Sequence, residues 1–176
     1  MLVALSELGD KTQLLAFALA ARYRRPVPVL FGVLVATVAN HALASTAGAW
    51  VAGLVPPRVL GVALSLAFIG FGLWTLHPDS LKPDEGPSRF GPFLTTAVSF
   101  FLAEMGDKTQ LATAALAARF GTPVLVTLGT TAGMMVTDGL AVFAGQRLAP
   151  HVQHPAIRWT AAALFILFGV LGLVAS

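Results

Sequence analysis

The 176-residue chain is 56% hydrophobic and charged at 11% of its positions, with a mean hydropathy of +0.80. Soluble domains carry about 25% charged residues, so this composition excludes an ordinary water-soluble domain and points to an integral membrane protein. The net charge is +3, but the basic residues are scattered at the ends of apolar runs, which fits topology-setting charge and argues against a nucleic-acid groove; the absence of cysteine excludes thiolate metal sites and disulfides.

Six apolar spans are predicted, at about 1–21, 27–54, 59–77, 92–118, 123–146 and 157–175, with Pro26, Pro56, Pro57, Pro78, Pro123 and Pro155 at the joints. The first has no basic n-region and is interrupted by Glu7, so no cleavable signal peptide is expected. It carries Glu7-Leu-Gly-Asp-Lys-Thr-Gln13. The second carries Asn40 and His41, and the third ends in a hydrophilic linker, His77 to Arg89. The fourth repeats the first motif as Glu104-Met-Gly-Asp-Lys-Thr-Gln110, and the fifth contains Asp138. A carboxylate in hydrocarbon costs about 2.5 kcal/mol or more, so acids inside such spans are retained for a function.

The motif belongs to a longer repeat. An offset of 97 aligns 7–23 with 104–120 at 12 of 17 positions. Without a gap, the same offset places Gly32 on Gly129, Gly48 on Gly145, Phe68-Ile69 on Phe165-Ile166 and Phe71-Gly72 on Phe168-Gly169. Residues 1–79 and 98–176 read as duplicated three-span halves, joined by 80–97, the linker and start of the fourth helix. An odd number of spans per half makes the second copy enter the membrane from the opposite side. The predicted fold is therefore all-α, with six transmembrane helices as two inverted three-helix repeats.

Charge agrees with inversion. Arg22, Arg24, Arg25, Lys82, Arg89, Arg147 and Arg158 fall in loops of one face, against Arg58 and Arg119 on the other. This places the first set in the cytoplasm and both termini outside. Met1 aligns with Val98, so the first half lacks a counterpart of Pro92 to Ala97. Either the start is late or the first helix begins deep in the membrane, and a late start is the expectation.

On a continuous helix Glu7, Asp10 and Lys11 share one face, as do Glu104, Asp107 and Lys108, while Gly9 and Gly106 loosen each helix or admit a neighbour. Together the motifs supply four carboxylates and two ammonium groups, a formal charge of −2. One divalent cation or two protons neutralises it, so a site that alternates between them couples their movement. Glu7, Asp10, Glu104 and Asp107 are the candidate cation ligands, with Lys11, Thr12, Gln13, Lys108, Thr109 and Gln110 as supporting or gating groups. Such an oxygen-rich set suits Mn²⁺, Ca²⁺ or Mg²⁺ better than Cu⁺ or zinc. The offset also pairs Asn40 with Thr137 and His41 with Asp138, a candidate proton acceptor or polar support, whereas Met134 and Met135 read as packing. Competing readings are an ion channel with an acidic selectivity ring, an intramembrane hydrolase using Asp10 and Asp107, and a non-transporting assembly subunit.

Glu-x-Gly-Asp-(Lys/Arg)-(Ser/Thr), present once in each half, resembles the family of small Mn²⁺/Ca²⁺ exchangers found from bacteria to the Golgi and chloroplast. That family was once termed uncharacterised protein family sixteen and is grouped with the lysine-exporter superfamily. Asn40-His41-Ala-Leu-Ala44, Gly129-Thr-Thr131 and Gly133-Met-Met135 also look like its bacterial members, and the likeness covers nearly the whole chain. It implies a multi-pass protein of the bacterial inner (plasma) membrane that exports Mn²⁺, or alternatively Ca²⁺, against protons, with Glu7, Asp10, Glu104 and Asp107 as carriers. It implies no enzymatic activity and no resident cofactor. The expected partners are the divalent cation and the bilayer, with no nucleic acid and with homo-oligomerisation left open. Asp138 departs from the pattern, standing where similar bacterial proteins often carry an amide.

Overall fold

The computed structural model describes residues 10–76, 90–144 and 155–174. Glu7, the linker 77–89 and the loop that carries Arg147 lie outside these, as does the stretch before Asp10. Seven helices are described: α1 Lys11–Tyr23, α2 Pro26–Ala52, α3 Pro57–Thr75, α4 Pro92–Glu104, α5 Lys108–Phe120, α6 Pro123–Ala144 and α7 Pro155–Val174. Five of them begin on a proline. Its missing N–H is harmless in the first turn and its fixed φ suits the helix, so these prolines open helices as well as marking joints.

Among the described residues, Pro26–Ala52, Pro57–Trp74 and Pro123–Phe143 are long and apolar enough to cross a membrane, and Pro92–Glu104 and Ala162–Val174 are shorter apolar helices. Many large apolar side chains are exposed, and polar ones are buried beside the hydrophobic core. On α2 the exposed side bears Phe31, Val35, Val38, Leu43 and Trp50, while Thr37, Asn40, His41 and Ser45 are buried. Apolar groups face outward and polar groups face one another, as a membrane protein requires.

One prediction needs correction. The expected fourth span, 92–118, is not a continuous helix but is divided into α4 and α5 by Met105 to Asp107. Met105 is extended (φ −65°, ψ 118°) and Gly106 has φ 77°. Thirteen residues of α4 give about 20 Å at 1.5 Å per residue, shorter than the core of a bilayer, which is about 30 Å.

Central α2 packs on α4, α5 and α6, while α3 packs chiefly on α7. Small residues set both contacts. A Cβ on Gly32 would stand 2.7 Å from the Phe93 carbonyl oxygen, and one on Gly48 would collide with the Ala114 carbonyl. Between α3 and α7, Gly72 faces Ile166 and the Ala162 carbonyl, and Gly169 faces Ile69 and the Ser65 carbonyl. Adding 97 converts each of those contacts into the other. Phe68 stacks on its own counterpart Phe165, centroids 6.2 Å apart. Not every aligned pair is equivalent: Gly32 is covered by Phe93 and Thr96, whereas Gly129 meets nothing within 4 Å.

Helices α1 and α5 end alike. Arg24 (φ 50°) and Gly121 (φ 66°) are left-handed caps whose N–H groups donate to the Ala20 and Ala117 carbonyls, both at 2.9 Å. The left-handed region costs a side-chain-bearing residue about 1 kcal/mol. Arg24 bears that cost, whereas Gly121 does not.

Candidate functional site

Each motif aspartate stands at the start of a helix rather than within one. Asp10 is the N-cap of α1 (φ −78°, ψ 167°), its Oδ1 accepting from the Lys11 N–H at 2.8 Å. Asp107 is the N-cap of α5 with nearly the same backbone (φ −80°, ψ 163°). A carboxylate suits this position because it meets the positive end of the helix dipole, and Asp10 alone of the two also caps with its side chain. The expected single helical face for Glu104, Asp107 and Lys108 is therefore wrong: Glu104 ends α4, and the chain turns before Asp107 begins α5.

That turn brings the two motifs together. Lys11 Nζ lies 3.1 Å from Asp107 Oδ1, and Lys108 Nζ lies 3.0 Å from Asp10 Oδ1. Each aspartate is thus neutralised by the lysine of the other motif. The pairs are not equally shielded: the Lys108 side chain is 6% exposed, whereas that of Lys11 is 27% exposed. Removing one partner of the shielded Lys108–Asp10 pair would strand a buried charge, at a cost of about 3–5 kcal/mol.

Polar side chains brace the break. Gln110 Oε1 accepts from the Gly106 N–H at 2.7 Å, and Gln110 Nε2 donates to Asn40 Oδ1 at 3.2 Å. Asn40 Nδ2 in turn donates to the Phe101 carbonyl at 3.0 Å, an oxygen that also accepts from the Met105 N–H. The first of these bonds satisfies an N–H that the interrupted helix leaves open. In the first motif, Gln13 Nε2 donates to the Thr137 carbonyl at 3.1 Å. Gln13 and Gln110 therefore reach across to positions 137 and 40, which the offset pairs. Thr12 and Thr109 are buried in the first turns of α1 and α5. Met134, expected to pack, is wholly buried and accepts a 3.5 Å contact from Thr37 Oγ1, its own aligned partner.

Glu104 and Asp138 are wholly buried, and no oxygen of either finds a hydrogen-bond partner among the described residues. Glu104 lies within electrostatic reach of Asp10, Asp107, Asp138 and Lys11. His41 is buried with Nδ1 3.4 Å from Thr131 Oγ1, and its Nε2 has no partner among the described residues. Thr127 Oγ1 extends this polar seam, contacting Ser45 Oγ at 3.0 Å and the His41 carbonyl at 3.4 Å. Sequence reasoning missed Ser45, Thr127 and the Phe101 carbonyl, because hydroxyls and backbone oxygens carry no local signature. Among the described residues, no three His, Asp or Glu side chains form a group that could hold a metal ion. Glu7, the fourth expected acid, lies outside them.

Two motifs, held by crossed ion pairs at a helix break and accompanied by a buried acid, are what an ion carrier needs. The chain matches the family described as divalent cation/proton antiporter GDT1 over residues 1–83 and 92–176. It belongs to that family. GDT1 membership makes the chain a membrane transporter, and the unmatched residues fall at the linker and the approach to α4. The GDT1 chain is 42% identical over 169 residues to a Vibrio cholerae protein named "Putative manganese exporter", covering 96% of this chain and 84% of the relative. It is 30% identical over 210 residues to GDT1-like protein 5 of Arabidopsis thaliana, covering 97% and 91%. A GDT1-like protein of Synechocystis is 30% identical over 193 residues, covering 97% and 92%. No solved structure matches.

Proposed function

We propose that this chain exports a divalent cation, Mn²⁺ first and Ca²⁺ second, from the cytoplasm in exchange for protons, at a site formed by Glu7, Asp10, Glu104 and Asp107. The observation that carries this reading is the crossed pairing of Lys11 with Asp107 and Lys108 with Asp10. It joins the two motifs at one place, as shared binding of one ion requires. The manganese preference follows the name of the Vibrio relative and the hard-oxygen donor set.

The architecture is two inverted three-helix repeats, residues 1–79 and 98–176, with α4 and α5 forming one broken crossing of six. The contacts that interchange on adding 97 support it, since such exchange is what a two-fold relation between halves produces. In this reading both termini face away from the cytoplasm of a bacterial inner membrane, and the halves rock to expose the site alternately.

The lysines give the site its chemistry. Paired as they are, they balance the aspartates and leave the glutamates to be met by protons or by the cation. A cation that joins Asp10 and Asp107 displaces both ammonium groups, and the more exposed Lys11 withdraws first. Return with protons restores the pairs. Moving two charges outward against about 100 mV costs roughly 4.6 kcal/mol, a term that exchange for two protons removes. A hydrolase with Asp10 and Asp107 sharing a proton is disfavoured, because each holds an ammonium group instead.

The test is flux in proteoliposomes. An imposed Mn²⁺ gradient should drive protons the opposite way in the intact chain and not in Asp107→Asn. Mn²⁺ movement with no opposing proton flux would reject exchange.

A further inference from the structure

Helix α5 leans on the α3–α7 pair through Ala112 and Ala115, which meet the cluster of Phe68, Phe71 and Phe165. Beyond that contact, toward its C-terminus, a groove of about 500 Å³ opens between α5 and the pair. Leu116 and Phe120 form one bank; Leu64, Phe68, Phe168 and Leu171 form the other. Gly61, Ser65 and Gly172 also line it.

One lining residue is charged. Arg119 stands in the last turn of α5, is exposed, and makes no ion pair among the described residues. Its aligned counterpart differs: Arg22 lies over the ring of its neighbour Tyr23 at 5.5 Å. Position 119 is near a helix end, where a membrane helix reaches headgroup level. Phe68 lies seven residues beyond Gly61 along α3, about 10 Å deeper at 1.5 Å per residue. The groove thus joins a guanidinium at the interface to an apolar channel running inward. Guanidinium matches phosphate geometry, and a basic pocket between membrane helices suits an anionic lipid headgroup.

We infer that this groove is a binding site for an anionic phospholipid, with the phosphate on Arg119 and an acyl chain along Leu116, Phe68 and Phe168. The lipid would wedge between α5, which begins at the ion site, and the α3–α7 pair. This inference does not depend on the identity of the transported ion.

Native mass spectrometry of the full chain, released from micelles doped equally with phosphatidylglycerol and phosphatidylcholine, tests it. The intact chain should retain phosphatidylglycerol preferentially. Arg119→Gln should weaken that retention about fivefold, the effect of about one cation on an anionic headgroup. Arg58→Gln, on the same predicted membrane face but outside the groove, should leave it unchanged. Leu116→Trp should displace the lipid by filling the channel while leaving the charge in place, and it serves equally if Arg119→Gln fails to fold. Equal retention of the two lipids would overturn the inference. So would retention insensitive to Leu116→Trp, which would place the lipid on the surface, or a change of oligomeric state in Arg119→Gln without lipid loss, which would assign the groove to a protein contact.

Discussion

Lys108 holds Asp10 across 3.0 Å with almost no access to solvent, while the matching pair, Lys11 and Asp107, leaves its lysine 27% exposed. Two nearly identical heptapeptides therefore make unequal ion pairs, and the inequality can be measured. Asparagine in place of either aspartate still caps a helix, so the exchange tests charge alone. Asp10→Asn strands a buried ammonium and should cost about 3–5 kcal/mol in thermal unfolding. Asp107→Asn leaves a lysine that the protein only partly covers and should cost less than Asp10→Asn. Both should abolish transport, and equal stability losses would contradict the asymmetry.

Removing both members of the buried pair should be milder than removing one. Asp10→Asn combined with Lys108→Gln is expected to recover most of the stability lost by either change, with a coupling of about 1–3 kcal/mol in a double-mutant cycle. Transport stays lost, because the cation still lacks a ligand. Simple additivity would mean that the ion pair contributes nothing to the fold.

Glu104 should behave oppositely. It is wholly buried and its oxygens have no hydrogen-bond partner among the described residues, so Gln loses no hydrogen bond there. Glu104→Gln should leave the unfolding temperature unchanged or raise it, while Mn²⁺-driven proton flux falls to background. Such a pairing of lost activity with kept stability marks a residue retained for function. A strongly destabilised but active Glu104→Gln protein would show the acid to be structural.

The helix break rests on backbone geometry. Gly106 has φ 77° and open space where a Cβ would go, so Gly106→Ala meets conformational strain without a clash. The expected loss is about 1–2 kcal/mol, with Gly106→Asn better tolerated, since asparagine visits the left-handed region. Gly48→Val is different in kind, because its side chain would strike the Ala114 carbonyl where α2 crosses α5, and the folded yield should collapse. Circular dichroism and size-exclusion yield distinguish the two outcomes.

Protons and cation should compete. Carboxylates ligate a cation once they have released their protons, so cation binding expels protons and weakens as pH falls. The apparent KM for Mn²⁺ on the loading side should rise with acidity, by about tenfold per pH unit for each competing proton where the acids are protonated. A KM flat between pH 5 and pH 8 would contradict a shared site.

Much of this was legible in the chain. The apolar spans, the offset of 97 and the duplicated acids all follow from residue type and order, because hydrocarbon sorts side chains by polarity and duplication leaves register intact. Prolines marked the joints for the same reason, since a missing N–H acts wherever the chain places it. The helix break was not legible. Phe101 to Gln110 has the composition of a continuous helix, and Gly106 alone does not reveal that the chain turns there; the side chains that bond around the turn include Asn40, brought from a distant helix. Nor could order along the chain say which lysine serves which aspartate. Within one motif Lys11 is adjacent to Asp10, yet folding pairs it with Asp107, since the N-termini of α1 and α5 come within reach of each other's lysine. Local residues thus set which groups enter the membrane, while long-range packing set their partners, because charge pairing depends on separation in space and not on position in the chain.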